Sequence, residues 1–258
     1  MKFVNLKKLA SSLCLVALAG CVPASVWAQA EQTAKPKSTA ISRTKTDPAL
    51  LQPATLKAQA PAEYDVRFVT TKGDFVVHVT RAWAPLGADR FYNLVKHHFF
   101  DGAPFYRYVD GFVVQFGLTG SPAVNKAWTN ASIKDDPVKS SNKPGFITFA
   151  MAGPNSRTTQ VFINLGDNSR LDSMNFAPFG QVTSGMDVVK SFYGGYGEAT
   201  TSHQGEITNE GKAYLDKNFP KLDSIKSATI VAPAGGSSAA PVAKPKPKSA
   251  ASGAAKPQ

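Results

Sequence analysis

Three rhythms of apolar and polar residues run along this chain. Residues 9–20, LASSLCLVALAG, are almost continuously apolar behind a basic start, MKFVNLKK. From residue 62 to 231, short runs of β-branched and aromatic residues are separated by Gly, Pro, Asn and Asp, the punctuation of an antiparallel sheet. Residues 29–61 and 232–258 consist largely of Ala, Thr, Lys, Gln, Pro, Gly and Ser without an apolar period. The first of these flanks reads as a tether, and the second cannot bury enough surface to offset the entropy of ordering. The expected organisation is a leader over 1–28 (or 1–20, see below), a flexible linker over 29–61, one folded domain over 62–231 and a flexible tail over 232–258. Within the linker, Asp47-Pro48-Ala49-Leu50-Leu51 is expected to dock as a short turn.

Inside the domain, Tyr64–Thr70 and Asp74–Val79 are expected as strands joined across Lys72-Gly73. Pro85 opens a helix over Pro85–Lys96, because proline suits a first helical turn and no breaker follows; Leu86, Phe91, Leu94 and Val95 fall near one face. Phe105–Val109 and Val113–Phe116 form a second hairpin around Asp110-Gly111. Gly145–Met151 and Gln160–Leu165 form a third pair, joined through Gly153-Pro154-Asn155-Ser156. Phe179–Thr183 is a further strand, Gly185–Phe192 a helix and Ile225–Val231 a closing strand. Gly205–Asp223, with a helix near Asn209–Asn218, stands apart from this pattern. Many short strands with few helices predict a mainly β fold, a small closed β-barrel whose ends are plugged by helices.

The leader has the charge and length of a signal peptide, and its apolar core is too short to span a bilayer. Two exits are open. Leu18-Ala19-Gly20-Cys21 resembles a lipobox, which would lipidate Cys21 and tether the protein to a membrane. Val26-Trp27-Ala28 would release a soluble protein beginning at Gln29. Either route places the protein in the periplasm or cell envelope. Both cysteines, Cys14 and Cys21, lie in the leader, so the domain has no disulfide, thiol nucleophile or zinc–thiolate site.

Composition changes one point. The net charge of +11 invites a nucleic-acid reading. Residues 1–20 carry +3, residues 21–60 another +3 and residues 231–258 a further +4, leaving +1 for residues 61–230. The basicity belongs to the flanks. No nucleic-acid partner is expected, and a monomer is.

The candidate chemistry starts at Arg107, in the apolar and aromatic stretch FYRYVDGFVVQF. A guanidinium there is costly unless it has a partner or faces a cleft. A two-residue loop at Asp110-Gly111 would pair Arg107 with Val114. A three-residue loop with Gly111 left-handed would pair it with Gln115, the preferable register because it supplies a polar neighbour. Further on, alternation places Gln160 and Phe162 on one side of a strand. An apolar ring beside a glutamine fits the wall of an apolar pocket with a few placed polar groups. The plainer readings are a structural Arg–Gln pair and packing around a buried amide. His78, His97, His98 and His203 lack metal-ligand spacing, and Asp135-Asp136 lacks the pattern of a calcium loop. Neither a metal nor a cofactor is expected.

The ordered set F-x-R-x-x-x-G-F-x-x-Q, F-A-x-A-G-P-N, Q-x-F-I, L-D and F-G resembles the cyclophilin family of peptidyl-prolyl cis–trans isomerases, most closely its exported bacterial branch. The resemblance implies a closed eight-stranded antiparallel barrel capped by two helices, and isomerisation of X-Pro bonds in exported polypeptides. It implies that Arg107 is catalytic and that Gln115 orients it and hydrogen-bonds the substrate backbone. Phe112, Val113, Phe162 and Leu171 would line a proline pocket. Ala150 and Met151 would form the peptide-binding edge, with Gln160 beside them. Three departures stand out: Arg170 where many members have tryptophan, Val113 in place of a larger side chain, and a 173–178 loop longer by one residue. In that loop Asn175 or Phe176 would take the place of a histidine. These changes imply weak inhibition by cyclosporin-type ligands. The alternative is a non-catalytic module that holds proline-containing segments.

Overall fold

The computed structural model describes residues 46–232. The leader, Cys21, the first part of the linker and the tail from residue 233 lie outside the described residues.

The eight strands are β1 (Glu63–Thr70), β2 (Asp74–Thr80), β3 (Arg107–Val109), β4 (Val113–Phe116), β5 (Phe146–Phe149), β6 (Val161–Asn164), β7 (Pro178–Ser184) and β8 (Ile225–Val231). All pairings are antiparallel, in the order β3-β4-β6-β5-β7-β2-β1-β8. The sheet is a curled, open half-barrel, which corrects the expected closed barrel. Its edges are β3 and β8, and the physical reason lies at β3. That strand is only three residues long and is preceded by Pro104, which has no backbone donor for a ladder. The seam is stitched instead by irregular bonds, Phe105 N to Asp223 O and Ile225 N to Ala103 O, each 2.9 Å.

Among the described residues there are five α-helices rather than two: α1 (Pro85–Lys96), α2 (Pro122–Trp128), α3 (Met186–Lys190), α4 (Gln204–Glu210) and α5 (Lys212–Asn218). Helix α1 keeps its expected bounds and buries Phe91, Leu94 and Val95, whereas Leu86 faces outward. Its N-cap, Ala84, offers no side-chain acceptor. The Asp136 carboxylate takes that role from afar, accepting from Leu86 N at 3.0 Å and Gly87 N at 2.8 Å. Helix α2 is too short to show a 3.6-residue period, and it is fixed by burial of Val124 and Trp128. The helix expected near 209–218 is broken at Gly211, whose φ of +60° opens the α4–α5 corner. A Cβ there would lie 2.4 Å from the Gly120 carbonyl.

The main core is aromatic. Phe68 stacks on Phe75 with ring centres 4.7 Å apart, and Phe105 on Phe192 at 4.0 Å. Residues 46–61, the second part of the stretch read as a linker, lie on this body. Leu50 is buried, its carbonyl accepts from Trp128 Nε1 at 2.9 Å, and Asn93 brackets the Ala58 backbone.

Candidate active site

The β3–β4 hairpin adopts the three-residue register. Gly111 is left-handed at φ +65°, and Arg107 lies opposite Gln115. Gln115 in turn pairs with Phe162 on β6, and Phe162 with Thr148 on β5. One row of side chains thus crosses four strands on the outer face. The inner face of β4 and β6 presents Val114, Phe116, Val161 and Ile163 to the main core. Both faces are buried, so neither strand has an exposed side.

On the outer face, Val113, Phe162 and Leu171 form a small apolar cluster of their own, with Phe112, Ala150 and Phe176 packed on it. These residues and Arg107, Gln115 and Met151 line a cavity of about 230 Å³. Gln160 lies one step along, in an adjoining cavity shared with Gln115, Ala150 and Met151. Of the expected set, only Asn175 is not brought to these two cavities. It closes the 3₁₀ turn Ser169–Met174 in a left-handed conformation, and its carbonyl accepts from Arg157 Nη2 at 2.7 Å. Phe176 takes the place instead, its ring 5.8 Å from Phe162.

A buried amide network holds this turn over the pocket. Asn168 Nδ2 donates to Phe112 O, and Asn142 Nδ2 donates to Asp172 Oδ1 and Phe176 O, all within 2.7–2.8 Å. Burial pushes the Asp172 carboxyl up. Hydrogen bonds from Ser141 and Asn142, with the charge of Lys143, outweigh it and leave the group below its ordinary value.

The side chain of Arg107 is 19% exposed. Its Nη1 donates to Gln115 Oε1 at 3.1 Å, its Nη2 pairs with Glu198, and its Nε is buried without a partner. The carbon of the guanidinium lies 5.4 Å from the centre of the Phe112 ring, and that of Arg170 lies 5.0 Å from the same ring. Gln115 Nε2 donates to Gln160 Oε1 at 3.0 Å, and the fully buried Tyr106 hydroxyl donates to the same oxygen. Burial pushes the Tyr106 phenol far above its ordinary value, so it remains a donor. The hydrogen bonds therefore run in one direction from Arg107 through Gln115 to Gln160, and Tyr106 fixes the end.

Glu198, Thr201 and Gln204 also reach the site. They come from the stretch after Tyr193, which carries no strand or helix period and no motif. Thr200 anchors it: fully buried, its hydroxyl donates to the Tyr106 carbonyl beside Arg107. The four histidines sit apart, His78 with Asp65, His97 with Asp47, His98 with Asp101 and His203 with Tyr214.

Chemically, the site offers a cationic donor at the rim of an apolar pocket and amides along one edge, and among the described residues no carboxylate or histidine lines the cavity. Proteins of similar sequence are known. A protein from Acinetobacter baylyi named peptidyl-prolyl cis-trans isomerase is 34% identical over 140 residues, covering 52% of this chain and 74% of that protein. Peptidyl-prolyl cis-trans isomerase A of Dickeya dadantii is 33% identical over 129 residues, covering 48% of this chain and 67% of that one. A solved Cryptosporidium parvum cyclophilin superposes with a TM-score of 0.48 at 19% identity, covering 66% of this chain and 98% of its own. The profile of the family described as cyclophilin type peptidyl-prolyl cis-trans isomerase/CLD matches residues 65–211, and the chain belongs to that family.

Proposed function

We propose that this groove isomerises X-Pro bonds in exported polypeptides, as a foldase of the periplasm or cell envelope, with Arg107 as its catalytic residue. One observation carries the assignment of the residue: a permanently charged donor, held by Gln115, stands at the lip of a separate apolar pocket. The barrier to rotation is amide resonance, roughly 18–20 kcal/mol, and unaided exchange takes tens to hundreds of seconds. No bond has to be broken and no proton removed. As the amide twists, its nitrogen becomes a better acceptor, and Arg107 can donate to it. A charged hydrogen bond contributes about 1.5–3 kcal/mol, whereas a 10⁴-fold acceleration needs roughly 5.5 kcal/mol. The remainder comes from fixing the ring among Val113, Phe162 and Leu171 while the preceding carbonyl rotates, which favours the twisted state over either planar one.

The export setting is supported by the basic–apolar leader and its two cleavage patterns. Mass spectrometry of the mature chain tests it. A diacylated Cys21 or a start near Gln29 is expected, and an intact Met1 start overturns it.

The non-catalytic reading has one observation in its favour, the Glu198 carboxylate on Arg107. A protease-coupled proline-peptide assay decides between the two. Loss of rate in Arg107→Ala with peptide binding retained supports catalysis, and equal rates in the two proteins overturn it.

A further inference from the structure

The groove continues beyond the proline pocket. A second cavity of about 200 Å³ follows along Met151 and Gln160, and a third of about 340 Å³ opens between α2 and α4. Gln204 lines all three cavities, and Gln160 and Thr158 line the second and third. The shared lining makes the three cavities immediate neighbours, within reach of one bound polypeptide whose proline sits in the first.

The third cavity has a definite chemistry. Leu118 and Trp128 supply its apolar surface, and the rest of its lining is amide, hydroxyl or glycine, with no charged residue. Among the described residues, the side-chain amides of Gln204 and Asn209 and the Nε2 of Gln160 make no hydrogen bond within the protein. The nearby Arg90 lies over the Trp128 ring at 5.0 Å, and its Nη1 is engaged by the carbonyls of Ala131 and Thr158, each at 2.7 Å. A charged side chain entering here would lose water without gaining a counter-charge. An aliphatic one would make no hydrogen bond to the three amide groups. A carboxamide answers both conditions, since it donates and accepts while its stem lies on Trp128 and Leu118.

We propose that this cavity is a substrate subsite for a Gln or Asn side chain of the same polypeptide whose proline occupies the first pocket. The proposal rests on the isomerase reading and adds a selectivity to it. Gln204 and Asn209, from the stretch that also brings Glu198 to Arg107, are what shape the cavity for that ligand.

The test uses the full chain and proline peptides carrying Gln, Ala, Leu, Glu or Lys in turn at each of four positions on either side of the proline. Wild type is expected to show a KM about three- to tenfold lower for Gln than for Ala at one position, the worth of one hydrogen bond or slightly more, with kcat little changed. Asn209→Leu is expected to bring that ratio toward one, and Asn209→Glu to move the preference to Lys. Asn209 is exposed, and matching thermal unfolding curves show that the variants are folded. Absence of a Gln preference at every position, or its survival in both variants, overturns the subsite. If Arg107→Ala isomerises as fast as wild type, the isomerase reading fails instead, so the two failures are distinguishable.

Discussion

The groove has two walls of different origin. One is the outer face of β3, β4, β6 and β5, where Arg107, Gln115 and Phe162 stand in adjacent register positions. The other is the stretch from Glu198 to Asn209, which meets the first wall through Glu198, Thr201 and Gln204. The sheet wall is rigid because each of its side chains is fixed by a ladder beneath it and a packed core behind it. The second wall is held by fewer ties, chiefly Thr200 on the Tyr106 carbonyl and the packing of Ile207 and Leu215 on Leu118 and Phe219. On the proposed reading the difference is a division of labour: the sheet would carry the reaction, and the second wall would adjust what enters and how free Arg107 is.

The largest effect should come from the sheet wall. Arg107→Ala is expected to lower kcat about 10- to 150-fold, the worth of one charged hydrogen bond, with little change in peptide affinity measured by titration. Gln115→Leu keeps the shape but cuts the chain from Arg107 to Gln160, leaving Tyr106 as the remaining donor to Gln160 Oε1. A loss of about fivefold in kcat/KM is expected, near 1 kcal/mol; an unchanged value would show that Arg107 is oriented by packing alone. The second wall should act more weakly and in the opposite sense. Glu198 is 62% exposed, and such pairs contribute only about 0.2–1 kcal/mol. Glu198→Gln frees the guanidinium and should raise kcat about two- to threefold in the same assay. A fall would make Glu198 a support of the site and erase the contrast between the walls.

The smallest effect concerns the turn that closes the pocket. Asp172 is held below its ordinary value in the folded chain, so its carboxylate favours the folded state. That contribution is complete above the unfolded carboxyl value near 3.9 and is lost as pH falls through the lower folded value. Thermal unfolding from about pH 6 down to pH 2 should show the Tm of wild type falling below about pH 4. Asp172→Asn should be less stable at neutral pH and should lose less on acidification.

How far the fold was legible follows from the range of the interactions. The hairpin at Asp110-Gly111 and its register followed from turn chemistry and the need of Arg107 for a polar neighbour. The strand β8 and the helix α1 were legible from uninterrupted local patterns. The openness of the barrel was not, because it depends on how Pro104 and the short β3 meet Asp223 and Ile225 across the seam. The choice of Phe176 over Asn175 was also open in sequence, since the extra residue in the 173–178 loop can be absorbed in more than one way. Arg157 decided it by drawing the Asn175 carbonyl to itself.

The sequence by itself therefore determined the alternation that puts Arg107, Gln115 and Phe162 on one face, and with it the chemistry. Period-two side-chain geometry and short turns are local properties, readable from neighbours. Only the tertiary structure decided what stands opposite them. Glu198 is 91 residues from Arg107, and neither Thr200 nor Gln204 belongs to any periodic pattern. A contact over that distance leaves no rhythm in the chain. It exists because the buried Thr200 and the cluster around Ile207 bring the second wall against the first.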